Sequence, residues 1–271
     1  MGRSKAVVVL VGLTLTGCGA AGQGYFHPPT SATVGEAGFR LVEPARAIVV
    51  LYTAGSDSNE NRPPCRPGGS VPLALTALAG TVIGSRPVVV HGYCAAAIGD
   101  LAARVSMAEA RAPELEGVIR AYRAQGVDPR RIFVAGHSMG GWAAILVGAR
   151  GQVEVGGVIA FAPANGIWTR DRRGPYQWLA YERQKSSTVG LSRLDALLYL
   201  FHGDPFNEPD DLRFLEAIQG VTYRTLSPAA IGDGSCATRA PHTIVYSGCF
   251  RDSETETIRS FITERLRGLS P

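Results

Sequence analysis

Gly136-His137-Ser138-Met139-Gly140 frames one hydroxyl between two glycines, and Gly141 and Trp142 follow directly. A serine placed this way becomes a candidate nucleophile if the chain turns sharply at it. Its flanks say that it does. Arg131-Ile132-Phe133-Val134-Ala135 is a compact apolar run that reads as a buried strand. Trp142-Ala143-Ala144-Ile145-Leu146-Val147 has no proline and no turn cluster, and reads as a buried helix. Strand, G-x-S-x-G and helix together are the context of a nucleophile elbow. Ser138 then occupies a strained turn that lifts its hydroxyl above the sheet edge. Gly136 and Gly140 have no Cβ and let neighbouring backbone come close. The N-terminus of the following helix offers N–H groups and a positive dipole end to a developing oxyanion.

Such a turn needs a sheet to hold it, and the chain supplies one. Apolar runs at 46–52, 87–90, 155–161, 196–201 and 221–226 read as further strands. Helices are expected over 72–79, over 209–218 and from about Ser253, where Ile258, Phe261, Ile262 and Leu266 recur at helical spacing. Another is expected over 114–125, with Pro113 marking its start and Leu115, Val118, Ile119 and Tyr122 on one face. Alternating strands and helices imply an α/β protein: a mostly parallel sheet with helices on both faces. Ligands bind such sheets at the C-terminal ends of the strands. The stretch 164–194 lacks a clear strand but holds Trp168, Tyr176, Trp178 and Tyr181. It reads as a small cap insertion, with Trp168, Tyr176 and Trp178 as walls of the substrate pocket.

The N-terminus reads as a signal. Met1-Gly2-Arg3-Ser4-Lys5 is basic, and the apolar core from Ala6 to Thr16 is eleven residues long, too short to span a bilayer. It ends in Leu15-Thr16-Gly17-Cys18, which resembles the lipobox of bacterial lipoproteins. This resemblance implies a signal peptide over 1–17, acylation of Cys18, a tether over 18–39 and one domain over 40–271. The protein is then exported to the cell envelope and held to the membrane by its lipid alone. Removing 17 of the 271 residues leaves 254, enough for a single large core. The formal net charge of +4, less Arg3 and Lys5, is +2, too weak to point to nucleic acid. Four other cysteines remain: Cys65, Cys94, Cys236 and Cys249. An even number in an exported chain predicts two disulfides. Cys65 follows the first apolar strand and Cys94 ends the next, so these two are expected to pair at one sheet edge. Cys236 and Cys249 bracket His242 and are expected to pair with each other.

The elbow, on this order of elements, resembles the α/β-hydrolase fold, and within it the dienelactone-hydrolase-like and related secreted esterases. The resemblance covers about 40–268, and Val127-Asp128-Pro129-Arg130-Arg131-Ile132 before the elbow is also similar. Dienelactone hydrolases carry a cysteine nucleophile, so Ser138 points instead to esterase chemistry. A serine needs a base, and in this fold the partners follow in the order serine, acid, histidine. Of five histidines, His27 lies in the tether, His91 and His137 precede the serine, and His202 precedes the candidate acids. His242 is left as general base. In His202-Gly203-Asp204-Pro205-Phe206-Asn207-Glu208-Pro209-Asp210 the expected acid is Asp204, nearest the strand end and followed by proline. The two residues usual between that glycine and the aspartate are missing, which leaves Glu208 and Asp210 as alternatives. The oxyanion hole is expected from the backbone N–H groups of Met139 and Gly55. No cofactor is implied, and no cluster has metal-ligand spacing.

These readings together describe a serine hydrolase that cleaves a small-molecule carboxylic ester through an acyl-enzyme. A peptidase or thioesterase could use the same triad, and a non-catalytic envelope-binding protein could keep the fold without the chemistry.

Overall fold

The computed structural model describes residues 24–27, 32–35, 38–41, 43–55, 71–93, 107–164, 182 and 185–269. The leader, Cys18, Cys65, Cys94, Trp168, Tyr176 and Trp178 lie outside them, and with them the expected lipid anchor, the expected Cys65–Cys94 pairing and most of the expected cap.

The main elements of the described residues are ten strands and four α-helices, joined by short 3₁₀ helices. The strands are β1 (Gly24–His27), β2 (Ala32–Gly35), β3 (Gly38–Leu41), β4 (Ile48–Thr53), β5 (Val82–Ile83), β6 (Arg86–Tyr93), β7 (Ile132–His137), β8 (Gly157–Phe161), β9 (Arg193–Phe201) and β10 (Gln219–Leu226). The α-helices are α1 (Leu73–Leu78), α2 (Met107–Ala124), α3 (Met139–Arg150) and α4 (Gly248–Arg265). The main sheet runs β1-β6-β4-β7-β8-β9-β10, with β5 paired to β6 at its start. From β6 to β10 every neighbouring pair is parallel. Only β1 and β5 run antiparallel to β6.

Burial on both faces explains why the central strands read as continuous apolar runs. Along β4, Val49 and Leu51 enter one core, while Ile48, Val50 and Tyr52 enter the other. The first core is closed by α2 and α3 through Leu115, Ile119, Tyr122, Trp142 and Ile145. The second is closed by α1 and α4 through Leu75, Leu78, Phe250, Ile258 and Ile262. The fold is therefore the expected α/β architecture, a mostly parallel sheet sandwiched between helices.

Several elements differ from the sequence expectation. Residues 24–27, expected in a tether, form β1 and pair with Val90–Tyr93 of β6, while β2 and β3 make a separate hairpin. A strand laid there occupies backbone groups that β6 would otherwise present at an open edge. Helix α2 is already formed at Met107, so Pro113 lies inside it rather than at its start. Proline removes one N–H and crowds the turn before it, a cost that the buried Ala108, Ala112 and Leu115 offset. The 209–218 helix is a 3₁₀ helix over Pro209–Leu215. Helix α4 opens at Gly248, five residues before the apolar repeat suggested, because Ser247 caps it by accepting from the N–H of Phe250.

Phe250 joins this early turn to the sheet. It is fully buried, with ring centroids 5.2 Å from Tyr199 and 6.0 Å from both Phe161 and Phe201. Phe250→Ala is expected to lower the unfolding free energy by about 3–5 kcal/mol. Denaturant unfolding followed by tryptophan fluorescence measures this. A loss below about 1 kcal/mol would mean that the aromatic cluster does not hold α4 to the sheet.

Candidate active site

Four loops leave the C-terminal ends of β4, β7, β8 and β9 on the same side of the sheet, and the segment carrying His242 joins them. Ser138 occupies the turn between β7 and α3 with φ 54° and ψ −123°, a conformation rarely adopted by residues with a Cβ. Its backbone is held on three sides. Its N–H donates to the carbonyl of Phe161 at 2.9 Å, and its own carbonyl accepts from Trp142 and Ala164, each at 3.0 Å. The glycines of the motif have steric reasons. A Cβ on Gly136 would collide with the Gly140 carbonyl, and one on Gly140 with the Thr53 carbonyl. The loop after β4 lies against the serine itself, since a Cβ on Gly55 would stand 2.8 Å from Ser138 Cβ. Met139 opens α3, in the turn whose N–H groups have no intrahelical acceptor.

His242 lies on a 3₁₀ helix, Pro241–Tyr246, rather than on an irregular loop. Its Nδ1–H donates to the Asp204 carboxylate, at 2.8 Å from Oδ2 and 3.1 Å from Oδ1. Asp204 is 2 % exposed. Its Oδ1 also accepts from the N–H of Phe206 at 2.8 Å, and the Phe206 ring packs on the imidazole at 4.2 Å between centroids. The other two acids are occupied elsewhere. Glu208 caps the 3₁₀ helix that follows it and accepts from the N–H of Gly203 at 3.1 Å. Asp210 is exposed and pairs with Arg213 at 2.5 Å. Of the three candidate acids, Asp204 is the one placed against His242. Cys236 and Cys249 are bonded, with Cα atoms 5.7 Å apart, so the disulfide ties the approach to His242 to the first turn of α4.

Three further side chains complete the arrangement, and local sequence pattern singled out none of them. His137 is buried, and its Nε2–H donates to the carbonyl of His242 at 2.6 Å. A carbonyl only accepts, so Nε2 carries the proton. Burial, with the neighbouring His242 as a smaller cause, lowers the His137 pKa to about 3. Arg111, nearly buried on α2, donates to the carbonyl of Ala54 beside Gly55. Asn207 donates to the Pro163 carbonyl at 2.8 Å and joins the acid loop to the turn after β8. That turn contains Ala162 at φ 43°, a second strained residue beside the serine. His137 was visible in the motif, but its partner lies 105 residues away. Arg111 was hidden by placing the start of α2 at Pro113. Among the described residues no group of three or more His, Cys, Asp or Glu side chains is placed to hold a metal ion.

A serine on a strained strand-to-helix turn, at the C-terminal edge of a mostly parallel sheet, defines the α/β-hydrolase fold. Known structures agree. The native esterase 2 of the planctomycete Thermogutta terrifontis is 16% identical and aligns with a TM-score of 0.56 over 92% of this chain and 89% of its own. Est1E from Butyrivibrio proteoclasticus is 13% identical, with a TM-score of 0.54 over 82% of this chain and 90% of its own. A structure from a study of two prolyl endopeptidases is 14% identical, with a TM-score of 0.57 over 91% of this chain but 38% of its own. At these identities the likeness is one of fold. No protein-family model and no curated protein sequence matches the chain.

The His137 shift carries a pH dependence. Its ordinary pKa is 6.5 and its folded value is about 3, so the unfolded chain takes up a proton first as pH falls. The stability tied to neutral His137 is thus complete above about pH 6.5 and lost as pH drops toward 3. Buried His91, also lowered by desolvation, acts in the same direction. Between about pH 5.5 and 4, unfolding free energy should fall less steeply in His137→Gln, by about 1.4 kcal/mol per pH unit. Denaturant unfolding across that range tests it, and equal slopes would show that folded His137 also titrates normally.

Proposed function

We propose that this protein is a serine hydrolase that cleaves a carboxylic ester through an acyl-enzyme. The observation that carries the reading is the Asp204–His242 hydrogen bond placed beside the strained Ser138 turn. With Nδ1–H committed to Asp204, the lone pair of His242 is on Nε2, the tautomer a general base needs. Ser138 attacks the ester carbonyl as His242 takes its proton, and Asp204 stabilises the imidazolium that forms. The backbone N–H groups of Met139 and Gly55 are assigned to the oxyanion. His242 then returns the proton to the leaving alcohol, and water repeats the sequence to release the acid.

The esterase neighbours support ester over peptide cleavage only through a shared fold, so the bond cleaved is a matter for substrates. Trp168, Tyr176 and Trp178 are assigned to a cap that selects the acyl group. Export and anchoring through Cys18 remain part of this proposal, and the Cys236–Cys249 bond supports an oxidising compartment.

Ser138→Ala is expected to lower hydrolysis of p-nitrophenyl acetate by about 10⁴-fold or more and to abolish labelling by a fluorophosphonate. Asp204→Asn should cost about 10³–10⁴-fold in kcat while leaving the unfolding midpoint close to that of the parent. Wild-type protein that neither labels nor hydrolyses a series of esters, thioesters and peptides would leave the fold with a binding role instead. An alanine variant that keeps a tenth of the activity would show another nucleophile.

A further inference from the structure

His242 reaches the site on a segment that leaves the sheet after β10 and returns only at α4, so its position is not set by any strand. Asp204 holds one ring nitrogen, and the disulfide holds the flanks of the segment. Neither touches the main chain at residue 242. His137 does, through Nε2–H to the His242 carbonyl at 2.6 Å. Its ring also lies 4.8 Å from the His242 ring and 5.1 Å from that of Tyr246, between centroids. Tyr246 in turn shares a 2.9 Å hydrogen bond between hydroxyls with Tyr52 of β4. The chain position of His137 gives this contact its meaning. It is the residue bonded to Ser138, so its ring couples the backbone of the nucleophile to that of the base with no element between.

We propose that His137 is a positioning residue for this site, fixing the distance between Ser138 and His242 by holding the His242 main chain. This inference rests on the triad reading above. Burial keeps the ring neutral, so it offers a steady donor and no charge that would compete with the imidazolium for Asp204. The shape of the contact also explains a preference at residue 137. A donor about the length of an imidazole reaches the carbonyl, and a shorter side chain on the same backbone does not.

The test compares His137→Phe, which keeps a ring and loses the donor, with His137→Gln, whose amide can donate near the position of Nε2. His137→Phe is expected to lower kcat on p-nitrophenyl acetate by about 10–100-fold, with KM within about twofold, and His137→Gln to regain most of the loss. A second readout needs no turnover. The downfield proton NMR signal of the His242 Nδ1–H bonded to Asp204 should stay sharp in the parent, Ser138→Ala and His137→Gln proteins, and broaden in His137→Phe. If the phenylalanine variant does not fold, His137→Asn, too short to reach the carbonyl, takes its place in both comparisons. A sharp signal in the variant lacking the donor overturns the proposal. So does a glutamine variant impaired as much as phenylalanine, which would assign His137 to ring packing alone. A parent protein inactive on every substrate overturns the hydrolase reading, and the NMR comparison still decides this one.

Discussion

Backbone packed against backbone is the constraint on which this site depends. The turn at Ser138 is possible because Gly136, Gly140 and Gly55 let three stretches of main chain approach within distances that a Cβ forbids. Ser138 itself pays with a positive φ. Three backbone hydrogen bonds from three directions hold it there, so the strain is carried by the sheet and not relieved by local rearrangement. A loop of ordinary flexibility would relax to a common conformation and lower the hydroxyl toward the sheet.

The rest of the molecule can be read as support for that turn. Helices α2 and α3 close one face of the sheet, and α2 sends Arg111 back to the Ala54 carbonyl beside the loop that faces the serine. Helix α4 closes the other face, and its first turn anchors the segment that carries His242 through Cys249, Phe250 and the Ser247 cap. Ser247 also donates to the Ile244 carbonyl at 2.5 Å, fastening the end of the His242 helix to the start of α4. The two cores therefore divide the work: one steadies the turn at Ser138, the other holds the segment that carries His242.

The resemblance to solved esterases and to a prolyl endopeptidase extends over most of this chain, yet it is a likeness of scaffold. Chemistry here is argued from the environments of Ser138, Asp204 and His242.

By itself the sequence determined the local elements. Apolar runs marked the central strands because strands buried on both faces have no polar alternation to obscure them, and the G-x-S-x-G spacing marked the turn because Gly136 answers to the Gly140 carbonyl four residues away. The Cys236–Cys249 pair was legible because two cysteines 13 positions apart close a short loop. What only the tertiary structure decided were the contacts made across long separations. Asp204 rather than Glu208 or Asp210 faces His242 because Glu208 is spent on capping a helix and Asp210 points to solvent, and no spacing in that run records either fact. Edge strand β1, the true start of α2 and the His137–His242 contact were hidden likewise. Each depends on which groups the folded sheet leaves in need of a partner, and that is a property of the assembled chain.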